Sequence, residues 1–188
     1  MTQEMEYEAK SMLTKSGFNK LINMFPNYEP ITQQNDYFDT VDFNLKQRGA
    51  ALRVRHKKDT HTLTLKQSEK DGLLETHQPL RAEQIDELHN GQIPDGPVKS
   101  ATTSLLGYKP NLRYFGSLKT IRTEINYRNG ILCLDHSSYN NTEDFEVEFE
   151  GVSITHAEFE LTHLLQQLGL EPKKAKNKVA RFFDDSFH

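Results

Sequence analysis

The sequence contains one cysteine, Cys133, and no tryptophan. A single thiol cannot form a disulfide within the chain, and it excludes a zinc site built from several cysteines. The apolar runs span only a few residues, far fewer than the roughly 20 that a membrane-spanning helix needs. No apolar segment follows Met1, so we expect no secretory signal. These absences predict a cytoplasmic protein without a membrane partner.

Positive charge is not in excess either. The 188 residues include 23 Lys and Arg against 27 Asp and Glu, for a formal net charge of −4. Proteins that coat nucleic acid need a basic excess, so we expect no nucleic-acid partner. A hydrophobic fraction of 35% allows a packed core, and this length is typical of one domain, which we expect to span residues 1–188. The many Phe and Tyr residues favour a β-rich core.

Several common catalytic motifs are absent. The glycines form neither GxGxxG nor GxxxxGK[ST], which argues against Rossmann and P-loop nucleotide sites. There is no GxSxG and no HExxH, and the eight histidines are scattered along the chain. Cys133 lies in an apolar stretch, so we expect an inert buried thiol.

Alternation of apolar and polar residues predicts that most of the chain is β-strand. The predicted strands are 2–10, 34–40, 50–58, 60–67, 73–80, 112–127, 131–139 and 144–151. The predicted helices are 14–25 with Thr14 as its cap, 82–89, 98–106, one that begins with a capping box at Thr155, and 176–185. Asn129-Gly130 predicts a hairpin, and Gly116 predicts a bulge or break in a long strand.

Charge of one sign is concentrated on one face of several predicted strands. The residues are Glu6 and Glu8, Glu146 and Glu148, Arg53 and Arg55, and Lys66 alone. Carboxylates two residues apart on a strand lie roughly 7 Å apart and suit a hard divalent cation. Paired guanidinium groups suit phosphate oxygens. Any one pair is more simply a solvated strand face, but the set together favours a site for metal and polyanion.

An ordered series of short motifs runs from Glu6 to about Phe183. It consists of ExExK at 6–10, Tyr37, RVR at 53–55, Lys66, Arg122, Asp135, EVE at 146–148, and Lys178 with Arg181. This series resembles the CYTH family, the triphosphate tunnel metalloenzymes named for class IV adenylate cyclase and thiamine triphosphatase. It is most similar to the short, single-domain bacterial members called YjbK-like.

The resemblance implies a fold, a cofactor and site residues. The fold would be α+β, an antiparallel eight-stranded β-barrel that forms a tunnel, with helices packed on the outside. The cofactor would be Mg²⁺ or Mn²⁺, bound by Glu6, Glu8, Asp135, Glu146 and Glu148. The triphosphate would contact Lys10, Arg53, Arg55, Lys66, Arg122, Lys178 and Arg181.

The implied activity is metal-dependent hydrolysis of the terminal phosphate of tripolyphosphate, a nucleoside triphosphate or thiamine triphosphate. Lys10 would polarise or deprotonate the attacking water if neighbouring cations lower its pKa, and Tyr37 would assist it. Ala51 stands where vertebrate thiamine triphosphatases carry a Trp, so we expect an inorganic or unspecific triphosphate. Cyclisation of ATP to cyclic AMP and binding without turnover are the alternatives, and either a monomer or a homodimer is compatible with the sequence.

Overall fold

The computed structural model describes residues 2–186, with side chains through Phe183. Its strands are β1 Gln3–Leu13, β2 Ile31–Asp39, β3 Ala50–Lys57, β4 Thr60–Ser68, β5 Leu73–Leu80, β6 Arg113–Tyr127, β7 Gly130–Tyr139 and β8 Thr142–Gly151. They form a closed antiparallel barrel in the order β1-β5-β4-β3-β2-β6-β7-β8. The predicted α+β fold with an eight-stranded antiparallel barrel is confirmed.

Within residues 2–186, six helices accompany the strands. They are α1 Lys15–Met24, α2 Asn44–Gln47, α3 Ala82–His89, α4 Pro97–Leu106, α5 Ile154–Gln167 and α6 Lys178–Ser186. Thr14 caps α1 as predicted, because its Oγ1 accepts a hydrogen bond of 3.1 Å from the amide of Gly17. Among the described residues, no helix is both long and apolar enough to cross a lipid bilayer.

The predicted cap of α5 is wrong. Ser153 rather than Thr155 occupies the N-cap position, and its hydroxyl accepts a hydrogen bond of 3.2 Å from the amide of His156. Ser153 and Thr155 are both residue types that favour the N-cap position. Ser153 has the extended backbone of an N-cap, so α5 begins two residues earlier than predicted.

The described residues form two compact units. The first contains residues 2–5 and Gln33–Leu118. In it, apolar side chains from one face of β3 and β4 pack with those of α3 and α4 in a common core; its members include Leu52, Val54, Leu63, Leu65, Leu88, Val98 and Leu106. The other face of these strands carries Arg53, Arg55 and Lys66. Since helices cover the apolar face, the charged face is the inner face of the closed barrel.

The second unit contains Glu6–Thr32 and residues 119–186. Its core joins β7 and β8 to α1 and α5; its members include Leu21, Leu132, Leu134, Val147, Phe149, Ala157, Leu161 and Leu164. The alternate residues of β8, among them Glu146 and Glu148, lie on the opposite face. The side-chain alternation of each strand therefore separates a covered apolar face from a charged inner face.

The predicted hairpin between β6 and β7 is confirmed. The structure also shows why a glycine, Gly130, comes directly after the turn. Arg128 and Asn129 both have positive φ, 48° and 59°, as a two-residue type I′ turn requires. Gly130 then pairs with Tyr127. A Cβ on Gly130 would lie 2.3 Å from the carbonyl oxygen of Glu150 and 2.5 Å from the Phe149 ring.

Gly130→Ala is expected to lower the free energy of unfolding by about 1–3 kcal/mol, because backbone and a buried ring would have to shift. Urea unfolding followed by circular dichroism measures this loss. Gly107→Ala is a suitable comparison, because a Cβ there meets nothing within 4 Å and only the positive φ of 80° is unfavourable. A smaller effect for Gly130→Ala than for Gly107→Ala would contradict the steric explanation.

Candidate active site

Four acidic side chains alternate along β8 in the second unit, at Asp144, Glu146, Glu148 and Glu150. The register of β8 with its two neighbours brings further charged residues to the same inner face. Asp135 of β7 lies opposite Glu146, and Lys10 of β1 lies opposite Glu148. Arg122 of β6 in turn lies opposite Asp135. Sequence-distant residues predicted for the site are thus adjacent in this unit.

The ammonium group of Lys178, the first residue of α6, is the point on which three of these carboxylates converge. Its Nζ lies 2.8 Å from an oxygen of Asp135, 2.8 Å from Glu146 and 2.5 Å from Glu148. Asp135 and Glu146 are completely buried. A buried carboxylate group is stable only with such counter-charge, and here the ammonium group of Lys178 provides it.

Arg122 holds two of the same carboxylates. Its Nε and one terminal nitrogen donate to both oxygens of Asp135 at 2.7 and 2.6 Å, and that nitrogen also lies 2.5 Å from Glu148. This fork-to-carboxylate geometry combines two charge-assisted hydrogen bonds, which are stronger than hydrogen bonds between neutral groups. The structure therefore joins Arg122 to the proposed metal ligands, whereas the family resemblance implies a contact with phosphate.

Lys10 forms an ion pair with Glu8 and lies 3.8 Å from Glu148. Burial alone would lower the pKa of Lys10, but the neighbouring carboxylates, Glu148 foremost, outweigh it and raise the pKa above its usual value. A base would need the opposite shift. Lys10 therefore stays a cation in this environment.

Glu146 and Glu148 differ in the direction of their shifts although both are buried. Burial, assisted by the charge of Glu148, raises the pKa of Glu146 to about 8. Burial also disfavours ionised Glu148, but Lys178 and Arg122 outweigh it and hold the pKa of Glu148 well below its usual range. Glu148 is therefore firmly ionised, whereas its neighbour Glu146 holds a proton more readily.

Arg181 and Cys133 also lie beside the carboxylates of β8. Arg181 lies 2.9 Å from Asp144 and 2.5 Å from Glu146, so it also contacts carboxylates in this structure. Cys133 lies opposite Glu148 and is buried as predicted, and burial raises the pKa of its thiol. A thiol that is hard to ionise is a poor nucleophile.

The first unit carries the other predicted cations. Arg53 of β3 lies opposite Tyr37 of β2 and Thr64 of β4, and Tyr37 is buried. The buried Nε of Arg53 has no hydrogen-bond partner among the described residues. An unsatisfied buried donor is unfavourable, so this atom suits an anionic ligand.

Arg55 and Lys66 lie on the same inner face of this unit. The Nε of Arg55 donates to the side-chain oxygen of Asn35 at 3.2 Å, which orients the guanidinium group. Lys66 forms an ion pair with Glu75 of β5. One of the predicted phosphate ligands, Lys66, therefore has a carboxylate partner that the sequence does not predict.

Three further carboxylates that contact these cations are not predicted from the sequence, namely Asp144, Glu150 and Glu75. Asp144 and Glu150 continue the two-residue alternation of Glu146 and Glu148, so the strand pattern contained the signal. Glu75 carries no such local pattern, because its pairing with Lys66 depends on the register of β4 with β5.

The chain folds into a closed antiparallel barrel, with a carboxylate cluster in the second unit and a set of cations in the first. Residues 4–183 match the CYTH domain, and the chain belongs to this family. It is 41% identical over 187 residues, 98% of this chain and 97% of the relative, to YjbK of Bacillus subtilis (strain 168), named as a proposed triphosphatase.

Solved structures agree with this assignment. A Bacillus halodurans protein, described as a proposed adenylate cyclase, is 41% identical and has a TM-score of 0.91, with 97% of this chain and 100% of that chain covered. A Hippeastrum protein, described as having a dominant triphosphatase activity, is 19% identical with a TM-score of 0.78, and the match covers 96% and 95% of the two chains. The second likeness supports the fold.

Proposed function

We propose that this protein is a divalent-metal-dependent triphosphatase that hydrolyses the terminal phosphate of tripolyphosphate or an organic triphosphate. We further propose that residues 1–188 form one CYTH domain. The observation that carries the proposal is the convergence of Asp135, Glu146 and Glu148 on a single cation, Lys178. The activity named for the Bacillus subtilis relative supports the same conclusion.

The carboxylates fit a hard divalent cation such as Mg²⁺ or Mn²⁺, because all their donor atoms are oxygens. The residues that would hold it are Glu6, Glu8, Asp135, Glu146 and Glu148. A bound ion would polarise phosphate oxygens and lower the pKa of a water molecule. Lys178 pairs with the carboxylates here, and we propose that it pairs with phosphate once they bind a metal.

The cations of the chain would bind and orient the triphosphate. Phosphoryl transfer needs positive charge at the oxygens of the transferred group more than it needs covalent chemistry. Arg53 and Arg55 present guanidinium groups on one strand face, and the free Nε of Arg53 supports a role in anion binding. Lys66, Arg122 and Arg181 would add charge, the last two partly by holding the carboxylates in position.

Lys10 would act as a cation that polarises the attacking water or a phosphate oxygen. Its raised pKa argues against deprotonation of water by Lys10 itself. Tyr37 would support the arginine that it faces on the neighbouring strand, Arg53. The proton of the attacking water would then pass to the phosphate product or to solvent.

Formation of cyclic AMP from ATP is the second candidate. The Bacillus halodurans protein, 41% identical, is described as a proposed adenylate cyclase. The same cations would hold the triphosphate, and the 3′-hydroxyl would attack the α-phosphorus while pyrophosphate leaves. The two reactions differ in their products, so they are distinguished by product analysis.

Arg55→Ala is expected to weaken binding of tripolyphosphate, ATP, GTP and thiamine triphosphate by a similar factor, about tenfold or more, because a lost charged hydrogen bond acts on phosphate and not on the organic group. The KM for each substrate measures this effect. Arg48→Ala removes an exposed arginine outside the strands and is the control. A loss confined to one organic substrate would contradict a site that recognises phosphates.

A further inference from the structure

Three side chains capable of binding metal meet in the first unit. Glu4 lies near the start of β1, and Glu75 and His77 are two residues apart on β5. One ligand atom of each residue lies within 4.8 Å of the other two. None of the three belongs to the carboxylate set proposed above to hold the catalytic cation, so this cluster requires its own explanation.

The distances within the cluster suit ligands of one ion. The Nε2 of His77 lies 3.1 Å from Oε1 of Glu4 and 3.3 Å from Oε2 of Glu75. Neighbouring ligands bound at about 2.1 Å from one metal ion are about 3.0 Å apart in octahedral and about 3.4 Å apart in tetrahedral geometry. Both observed distances fall in this interval.

The imidazole ring of His77 is held in its orientation by a contact of its second nitrogen, Nδ1. Nδ1 lies 3.0 Å from the hydroxyl of Thr64, which is buried. Metal-binding histidines commonly have such a partner, because it fixes the ring orientation and the position of the proton. Thr64 therefore supports the direction in which Nε2 faces the two carboxylates.

The two carboxylates contribute in different ways. Glu75 is buried, and its Oε1 pairs with Lys66 while its Oε2 is the atom that faces His77. The side chain of Glu4 is 66% exposed, so an ion could reach the cluster from solvent. The buried carboxylate provides a fixed ligand and the exposed one provides access.

We propose that Glu4, Glu75 and His77 bind a divalent transition-metal ion of the Mn²⁺ or Zn²⁺ class. One imidazole nitrogen with two carboxylates suits these ions, whereas Mg²⁺ prefers oxygen ligands alone. Three protein ligands leave coordination positions for water or for an oxygen of a small molecule. The ligand set shares no residue with that of the proposed triphosphatase reaction.

Calorimetric titration with Zn²⁺, in millimolar Mg²⁺ to occupy sites made only of oxygen, tests the proposal. The wild-type protein is expected to bind one equivalent of Zn²⁺ at this cluster, and Glu4→Gln and His77→Gln are each expected to bind it at least tenfold more weakly. Glu4 is exposed, so its replacement keeps the fold. Glu75 is left unchanged because it also contacts Lys66.

His136→Gln is the matched control, because His136 pairs with a single carboxylate, Glu143, at 2.8 Å, and this variant should bind Zn²⁺ normally. Glu148→Gln should also keep the Zn²⁺ site even when it lacks activity, which separates this proposal from the proposed function. The imidazole resonances of His77 should shift on Zn²⁺ addition in a nuclear magnetic resonance spectrum. Unchanged affinity in both ligand variants, or no bound Zn²⁺ in excess Mg²⁺, would overturn the proposal.

Discussion

Replacing Glu148 by Gln is expected to lower metal-dependent triphosphate hydrolysis by at least about 100-fold while the protein stays folded. The substitution keeps the shape of the side chain and removes the charge that Lys178, Arg122 and Lys10 share. Arg122 and Lys178 each keep Asp135 as a partner, which is why the fold should survive. Phosphate release at limiting Mg²⁺ measures the loss of hydrolysis, and a circular dichroism spectrum measures whether the protein stays folded.

Two further variants sharpen this test. Glu6→Gln should show a similar loss if Glu6 is also a metal ligand. Glu143→Gln, on the same strand as Glu148 but half-exposed and paired with His136, should retain normal turnover. Full activity of both Glu148→Gln and Glu6→Gln would remove the basis for a carboxylate-bound metal.

Of the substitutions proposed here, Arg122→Ala is expected to lower the free energy of unfolding most, by about 3–5 kcal/mol. It removes a buried positive charge and leaves the carboxylates that Arg122 contacts without that counter-charge. Asp135 is completely buried and receives two hydrogen bonds from Arg122. Arg122→Lys keeps the charge but loses the two-nitrogen contact of the guanidinium group with Asp135, so we expect a smaller loss of unfolding free energy than for Arg122→Ala.

Urea unfolding compares these variants with Arg113→Ala, which removes an exposed arginine at the start of the same strand. The control should change the free energy of unfolding by less than about 0.5 kcal/mol. If Arg122→Ala were as stable as this control, the ion pairs of Arg122 would not hold the carboxylate cluster in place.

The strands and their two faces could be predicted from the sequence because a period of two is a local signal. β5 has the predicted bounds. Val54 and Phe149 alternate with the charged residues of β3 and β8, and both lie in helix-covered cores. Met5 alternates in the same way with Glu4 and Glu6 of β1, yet it is 39% exposed. Local alternation assigns the face, but it does not show whether a helix covers that part of the strand.

The helices were predicted less accurately where several residues could begin them. Thr155 fitted a capping box, yet Ser153 caps α5. The four-residue helix α2 was not predicted, because a single turn after Phe43, which has a positive φ of 56°, offers no apolar period to detect. Short elements such as α2 depend on packing that the local sequence does not show.

The members of the candidate site could be proposed from motifs, but their partners could not. Arg122, Arg181 and Lys66 were assigned to phosphate, and each contacts a carboxylate in the structure. These pairs join residues far apart in sequence, and they depend on strand register and on where α6 begins. Glu75 and His77 were missed for the same reason.

Product analysis of the wild-type protein tests the proposed triphosphatase most directly. The protein is incubated with Mg²⁺ and either tripolyphosphate or ATP, and orthophosphate, pyrophosphate and cyclic AMP are quantified by ion chromatography. We expect tripolyphosphate and water to give pyrophosphate and orthophosphate at a rate at least equal to that of ATP hydrolysis. Conversion of ATP to cyclic AMP and pyrophosphate, with tripolyphosphate left intact, would contradict the triphosphatase and favour the cyclase.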